Sequence, residues 1–333
     1  MRLLIAHDGS PGADAALADL QHAHLPENTQ ALVLTVADVW LPPGSLAPAD
    51  PGAPGPSAHP TVAAIAITNF EIGASARRAV ADADRLAFEA AERLRRSFPG
   101  WQISSEARAD SPAWGVLAVA EKWQPDLLLA GANGTSSALD EWLVGTVSQK
   151  IVTKARCSVR IGRGGSAPDT RPRLLIGFDG SPDALASIAA VAAREWPAGA
   201  EARLVTALNP RLRTGIPEGA IPSLAAHHTA DDALDAVLQG AARAIETLRE
   251  AGLTVSDHVR DGEPREVLLE EAKRWDATAL FIGAKGLVGA SGLEHLRRFF
   301  IGSTSTALVW RAPCTVEVAR APGSATAFAP DDA

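Results

Sequence analysis

Short apolar runs alternate with amphipathic stretches along the chain, and the whole series occurs twice. LLIA (3–6) is an apolar run followed by DGSP, in which Ser10 can cap a helix and Pro11 can occupy its first turn. ALVLTV (31–36) is a second apolar run. Residues 76–98 then carry Val80, Ala83, Ala87, Ala90 and Leu94 at spacings of three and four, the period of a helix with one buried face. WQISSEARA (101–109) predicts a third strand and SPAWGVLAVAEKW (111–123) a third helix. DLLLAG (126–131) is apolar almost throughout, as in a strand covered on both faces. A helix is expected from about Gly145, and CSVRI (157–161) closes the series. The second series runs LLIG, ARLVTA, a helix across Leu234, Val237, Leu238, Ala241, Ile245 and Leu248, then LTVSDHVR, PREVLLEEAK, ATALFIGA, a helix over 302–312 and CTVEV. Five strands alternating with four helices predict an α/β fold of two tandem Rossmann-like domains, each a doubly wound, five-stranded parallel sheet. Residues 41–60 are too rich in proline and glycine for a helix, so a long irregular loop is expected there.

The two series are copies. RLLIAHDGSP (2–11) and RLLIGFDGSP (173–182) agree at eight of ten positions. GTVSQKIVTKARCSVRI (145–161) answers GSTSTALVWRAPCTVEV (302–318), with Cys157 and Cys314 in register. The expected organisation is a first domain over 1–162, a linker over 163–172 rich in Gly, Ser, Pro and charge, a second domain over 173–320 and a flexible tail over 321–333. The last strand of each unit should lie at a sheet edge, and an apolar edge needs cover. Two similar units can cover both edges by pairing antiparallel about a pseudo-twofold axis, giving one pseudo-dimer with two crevices. Self-association of the whole chain as a homodimer is compatible with this.

Composition narrows the partners. The chain has 333 residues, 47% of them hydrophobic and 21% charged, enough apolar material for real cores. A net charge of −8 argues against general nucleic-acid binding. Two cysteines cannot build a disulfide framework, no apolar run approaches a membrane span, and the N-terminus carries no leader pattern. A cytoplasmic protein without nucleic-acid or membrane partners is the expectation, with its protein partners unspecified.

In an open parallel sheet the ligand crevice lies beyond the carboxyl ends of the strands, where the winding reverses. Three features converge there in each half. Asp8 (Asp179) follows the first strand, the pair Gly131-x-x-Gly134 (Gly283-x-x-Gly286) follows the fourth, and Gly145-Thr146-x-Ser148 (Gly302-Ser303-x-Ser305) opens the last helix. Glycines admit close approach, a helix N-terminus favours an anion, and hydroxyls add donors, a set suited to a phosphate chain. The plainer readings stand beside this one. Asp before Gly often caps a turn, and the glycines can serve a tight strand-to-loop turn. The cysteines read as small buried residues, and His227-His228 lacks a third ligand for a metal. No Gly-x-x-x-x-Gly-Lys-Ser/Thr loop, Gly-x-Ser-x-Gly elbow or paired-carboxylate set is present, so no catalytic residue is assigned and at most slow hydrolysis is expected.

A strand ending in DGS, then G-x-x-G, a spacer of about nine, and G-[ST] opening a helix that runs into a C-[PST]-V strand resembles the universal stress protein family, twice in tandem. That resemblance implies adenine-nucleotide binding, ATP foremost, with or without magnesium, in a sensing module of the stress response. It assigns adenine contact to Asp8, Val36, Asp179 and Ala207. Phosphate contact falls to Gly131, Gly134, Gly145, Thr146 and Ser148 in the first half, and to Gly283, Gly286, Gly302, Ser303 and Ser305 in the second. The spacers between glycine pair and helix run to ten residues (135–144) and fifteen (287–301), so the halves need not bind equally. A nucleotide-free protein-interaction scaffold is one rival reading. An ATP-using enzyme on a similar fold is another, but the Ser-Gly-Gly-x-Asp-Ser loop such adenylating enzymes carry after the first strand is replaced here by AspGlySerPro.

Overall fold

A computed structural model describes residues 1–39, 60–132, 145–164, 171–208, 230–286 and 301–321, the side chains of 60–73 and 230–233 excepted. The first half runs β1 (Arg2–Ala6), α1 (Pro11–Asp19), a 3-10 turn (Leu20–His22), β2 (Gln30–Ala37), α2 (Pro60–Ser97), β3 (Gln102–Ala109), α3 (Pro112–Trp123), β4 (Leu127–Gly131), α4 (Thr146–Lys154) and β5 (Ser158–Gly162). The second runs β6 (Arg173–Gly177), α5 (Pro182–Ala192), β7 (Glu201–Leu208), α6 (Ala230–Glu250), β8 (Thr254–Asp261), α7 (Pro264–Arg274), β9 (Ala279–Gly283), α8 (Ser303–Arg311) and β10 (Thr315–Ala319).

Local signals explain most boundaries. Ser10 and Ser181 cap α1 and α5, each Oγ accepting from the backbone N–H three residues on, and proline occupies the first turn of both helices. One expectation needs correction: α2 begins at Pro60 rather than near residue 76. Proline is tolerated in a first turn, and residues 61–97 hold no further proline, so the helix propagates back to Pro60. The rest of the 41–60 stretch lies outside the described residues.

The strands form one ten-stranded sheet in the order β3-β2-β1-β4-β5-β10-β9-β6-β7-β8. Neighbours are parallel except β5 and β10, which pair antiparallel with Val316 opposite Ile161, Glu317 opposite Arg160 and Val318 opposite Val159. The two edges thus cover one another, as the repeat predicts. On one sheet face a single core crosses this seam: Val159, Ile161, Val316 and Val318 are fully buried together with Leu128, Leu280, Ile151 and Leu308. The other face has a separate core in each half, under α1 and α2 and under α5 and α6. Full burial contributes about 1.5–3 kcal/mol for each such aliphatic side chain, so the four seam residues bind the halves firmly.

Candidate functional site

Each half has its winding reversal in the same place. β1 lies between β2 and β4, and β6 between β7 and β9, so the crevices open at the carboxyl ends of β1/β4 and β6/β9. At the end of β1, Gly9 takes φ +75°, and Gly180 after β6 takes +79°, conformations that turn the chain sharply into α1 and α5. Asp8 Oδ1 accepts from the Ser10 backbone N–H at 3.0 Å, and Asp179 Oδ1 from that of Ser181 at 3.0 Å. The turn-capping role is therefore real, and Asp8 remains exposed at the crevice rim. Val36 and Ala207 sit half-buried near the ends of β2 and β7, with Val36 lodged against Gly115 of α3.

The glycines divide into two kinds. A methyl on Gly131 would come within 2.6 Å of the Gly12 carbonyl carbon and oxygen, and one on Gly283 within 2.8 Å of Ala184 N. These two glycines admit the first turn of α1 or α5 against the sheet. Gly145 and Gly302 are instead helix N-caps with ordinary extended backbone, φ −63° and −64°, and as glycines they offer α4 and α8 no side-chain cap of their own. Their own N–H groups donate to Ala132 O at 2.7 Å and Ala284 O at 2.8 Å. The next N–H groups of each helix have no intrahelical acceptor and face the crevice end with the positive pole of the dipole. Thr146 and Ser303 follow at exposed positions. Ser148 and Ser305 are buried, and each donates its hydroxyl to the strand end behind it, to Gly131 O and Gly283 O, both at 2.7 Å. Their oxygens can still accept; their protons are committed to holding α4 and α8 in place. Gly134 lies outside the described residues, as do most of both spacers.

The halves differ where their sequences differ. In the second, Asp183 takes the place of Gly12; its Oδ2 accepts from the Lys285 N–H at 3.0 Å and its Oδ1 from the Ala321 N–H at 2.8 Å. Ser181 Oγ donates to Lys285 O at 3.1 Å. Gly286 is drawn so close to the β6–α5 turn that a methyl on it would stand 2.5 Å from Asp179 Oδ2. A carboxylate of the chain thus already holds the start of the second glycine loop. In the first half Gly12 offers no side chain for this. Sequence reasoning passed over that difference, although Gly12 against Asp183 was a readable signal.

A second asymmetry lies at His7. His7, where the second half has Phe178, is buried, with Nε2 3.0 Å from Asp14 Oδ1. Arg93 donates to the same oxygen at 2.7 Å. Burial works against ionisation of Asp14, but the hydrogen bonds from His7 and Arg93 outweigh it and hold its pKa below the ordinary carboxylate value. His7 Nδ1, one residue past β1, and Thr35 Oγ1 on the neighbouring β2 are buried without a hydrogen-bond partner among the described residues. Burial pushes the Cys157 thiol up to about 11 and the Cys314 thiol to about 12, so both are structural. Among the described residues no group of three or more His, Cys, Asp or Glu side chains could hold a metal, and no helix is long and apolar enough to cross a membrane. His227 and His228 lie outside them.

Comparison with known proteins agrees with this architecture. The family model for the universal stress protein family matches residues 1–161 and again 170–320. The crystal structure of a universal stress protein from Archaeoglobus fulgidus DSM 4304 is similar over 96% of this chain and 98% of its own, with TM-score 0.56 and 18% identity. A functionally unknown protein from Pseudomonas aeruginosa PAO1 is similar over 97% and 93%, with TM-score 0.53 and 14% identity. At these identities the likeness speaks to the fold. No curated protein sequence matches the chain.

Proposed function

The chain belongs to the universal stress protein family, once in each half, and from that premise we propose that its first half binds an adenine nucleotide, ATP foremost, as a sensing module of the cytoplasm. The observation that carries the reading is the start of α4 at Gly145 and Thr146, whose N-cap glycine offers no side chain, at the β1/β4 reversal where Asp8 follows β1 and Val36 lies near the end of β2. In this reading Asp8 and Val36 flank the base, Gly145 lets the phosphates approach closely, and Gly134, Thr146 and the N–H groups that follow Gly145 in the first turn of α4 take them on backbone N–H groups and the Thr146 hydroxyl, the Gly145 N–H itself being held by Ala132 O. Such a cradle needs no basic cluster, which suits a chain of net charge −8. Magnesium, where present, would be held by the phosphates and water rather than by a protein carboxylate set.

The second half supports a different job. With Asp183 holding Lys285 N–H and Gly286 drawn against Asp179, its loop is committed to the fold, and we read it as the weaker or silent site. Its Asp179 then serves the β6–α5 turn, Gly302 the start of α8, and Gly283 and Ser305 the packing of α5 and α8 on the sheet, with Ala207 and Ser303 left without a ligand to contact. The protein is a binder rather than a catalyst in this account, with hydrolysis far below the typical enzyme range of about 1–10³ per second. Mass spectrometry of the small molecules released by denaturing the purified protein tests the reading. An adenine nucleotide released at up to one per chain supports it; a protein that releases none and takes up none from added ATP overturns it.

A further inference from the structure

The centre of the ten-stranded sheet is a pair of strands that are copies of one another. Cys157–Ile161 repeats position for position as Cys314–Val318, so Arg160 and Glu317 are equivalent. The antiparallel register sets these two directly opposite each other. The pseudo-twofold axis therefore passes between them, at the one level where each half meets its own equivalent. Across a true twofold axis a residue at that level meets itself. Here an arginine meets a glutamate.

The pair is 1% exposed on both sides, with Arg160 Nη1 donating to Glu317 Oε2 at 3.1 Å. Arg160 Nε donates to Asp19 Oδ2 at 2.7 Å, and Arg194 Nη2 to Glu317 Oε1. Thr315 Oγ1 donates across the seam to Asp19 Oδ1 at 2.7 Å, and Arg194 Nη1 to Ala23 O at 3.2 Å. Asp19 and Arg194 are as unequal as the pair they support, because the repeat places Ala190 at the position equivalent to Asp19 and Ala23 at that of Arg194. Each half contributes one cation and one carboxylate, and every charge in the set has a partner. Buried ion pairs add little net stability compared with apolar residues of similar size; their best-attested use is to specify which surfaces meet. The flanking seam residues, Val159 and Ile161 against Val316 and Val318, are equally apolar in both halves and cannot distinguish them.

We propose that the Arg160–Glu317 pair, backed by Asp19 and Arg194, dictates partner choice: it makes the two halves of the protein partners for each other and shuts out symmetric pairing of either half with its own copy from a second chain. Symmetric pairing of first halves would set two Arg160 guanidiniums face to face in a dry seam, each keeping Asp19 but losing the Glu317 carboxylate, and pairing of second halves would set two Glu317 carboxylates face to face, each keeping Arg194 but losing the Arg160 guanidinium. Repulsion of this kind against the wrong partner is how closely similar interfaces are kept apart.

The test uses full-length chains. In the variant Asp19→Ala, Arg160→Leu, Arg194→Ala and Glu317→Leu all four charges go together, leaving none unpaired, and the two outer changes install what the other half already has. Two differently tagged populations are unfolded together, refolded and examined by native mass spectrometry, with the parent treated alike. The variant is expected to refold with a melting temperature close to that of the parent and to form mixed-tag oligomers at least about tenfold more than the parent. A variant that refolds and exchanges no more than the parent overturns the proposal. A second arm covers a variant that does not refold. Chains carrying Glu317→Arg have arginine at both axis positions, and chains carrying Arg160→Glu have glutamate at both. Each alone is expected to melt well below the parent, and an equimolar mixture refolded together is expected to give a one-to-one heterodimer that melts nearer the parent. A mixture that yields no heterodimer and melts as the sum of its parts overturns the proposal.

Discussion

Replacing Gly131 by alanine separates the glycines that serve the fold from those that border the crevice. The new methyl would stand 2.6 Å from the Gly12 carbonyl carbon and oxygen and 2.8 Å from Ala13 N, where ordinary contact begins near 3.4 Å. All three neighbours are backbone atoms in the first turn of α1. That turn is pinned by the Ser10 cap, and Ala13, Ala16 and Leu17 of the same helix are buried beneath it. No rotamer change can absorb the methyl, so the helix must shift by most of an ångström. Overpacking of this kind costs about 1–3 kcal/mol, and at roughly 2–4 °C per kcal/mol the melting temperature should fall by several degrees. Gly302→Ala is the matched control. Its methyl meets Ala284 O at 3.4 Å from a backbone conformation any residue adopts, and the cost is the difference between glycine and alanine at an N-cap, below about 1 kcal/mol. Thermal and urea melts of both variants beside the parent decide the matter. If Gly131→Ala melts within a degree of the parent, or loses less than Gly302→Ala, the division of the glycines is wrong.

Further expectations follow from the same structure. Ser10→Ala should cost about 1 kcal/mol as a lost N-cap, and Ser181→Ala should cost more, because it also removes the bond to Lys285 O; urea melts rank the two. Both thiols, Cys314 buried and Cys157 half-buried, should resist a thiol reagent at pH 8 in the folded chain and react together on unfolding, and fast native labelling of either would contradict the raised thiol pKa values. The pKa of Asp14 is lower folded than unfolded, so its contribution is present above the unfolded value of about 3.9 and lost as pH falls through the folded one. Arg93→Met should raise the Asp14 carboxyl and shrink the stability lost below about pH 4, which carboxyl-carbon NMR titration and acid melts can read; an unmoved titration would remove Arg93 as a cause.

The fold was largely legible because its signals are local and occur twice. Ser10-Pro11 and Ser181-Pro182 mark helix starts, DLLLAG reads as a central strand, and the equivalence of CSVRI and CTVEV leads to the antiparallel seam. The start of α2 was not legible, because a proline-rich stretch reads as loop up to whatever residue finally accepts the first turn, here Pro60. The site was legible in its outline and not in its division of labour. Spacing brings Asp8, Gly131, Gly145 and Ser148 to one end of the sheet, but only atomic positions reveal that Gly131 touches α1 and that the Ser148 proton goes to Gly131 O. The unlike residues at equivalent positions, Gly12 and Asp183, His7 and Phe178, Arg160 and Glu317, carried the least periodic signal. They hold most of what distinguishes one half from the other.

Calorimetric titration of ATP, with magnesium, into the full chain tests the central claim most directly, with Gly145→Val and Gly302→Val titrated alongside. A valine at either N-cap places branched methyls over the helix start and blocks close approach of a phosphate. Binding to one site per chain is expected, lost in Gly145→Val and retained in Gly302→Val, with both variants melting as folded proteins. Two equal sites per chain, binding that survives Gly145→Val, or no heat and no thermal shift with the parent would contradict the account.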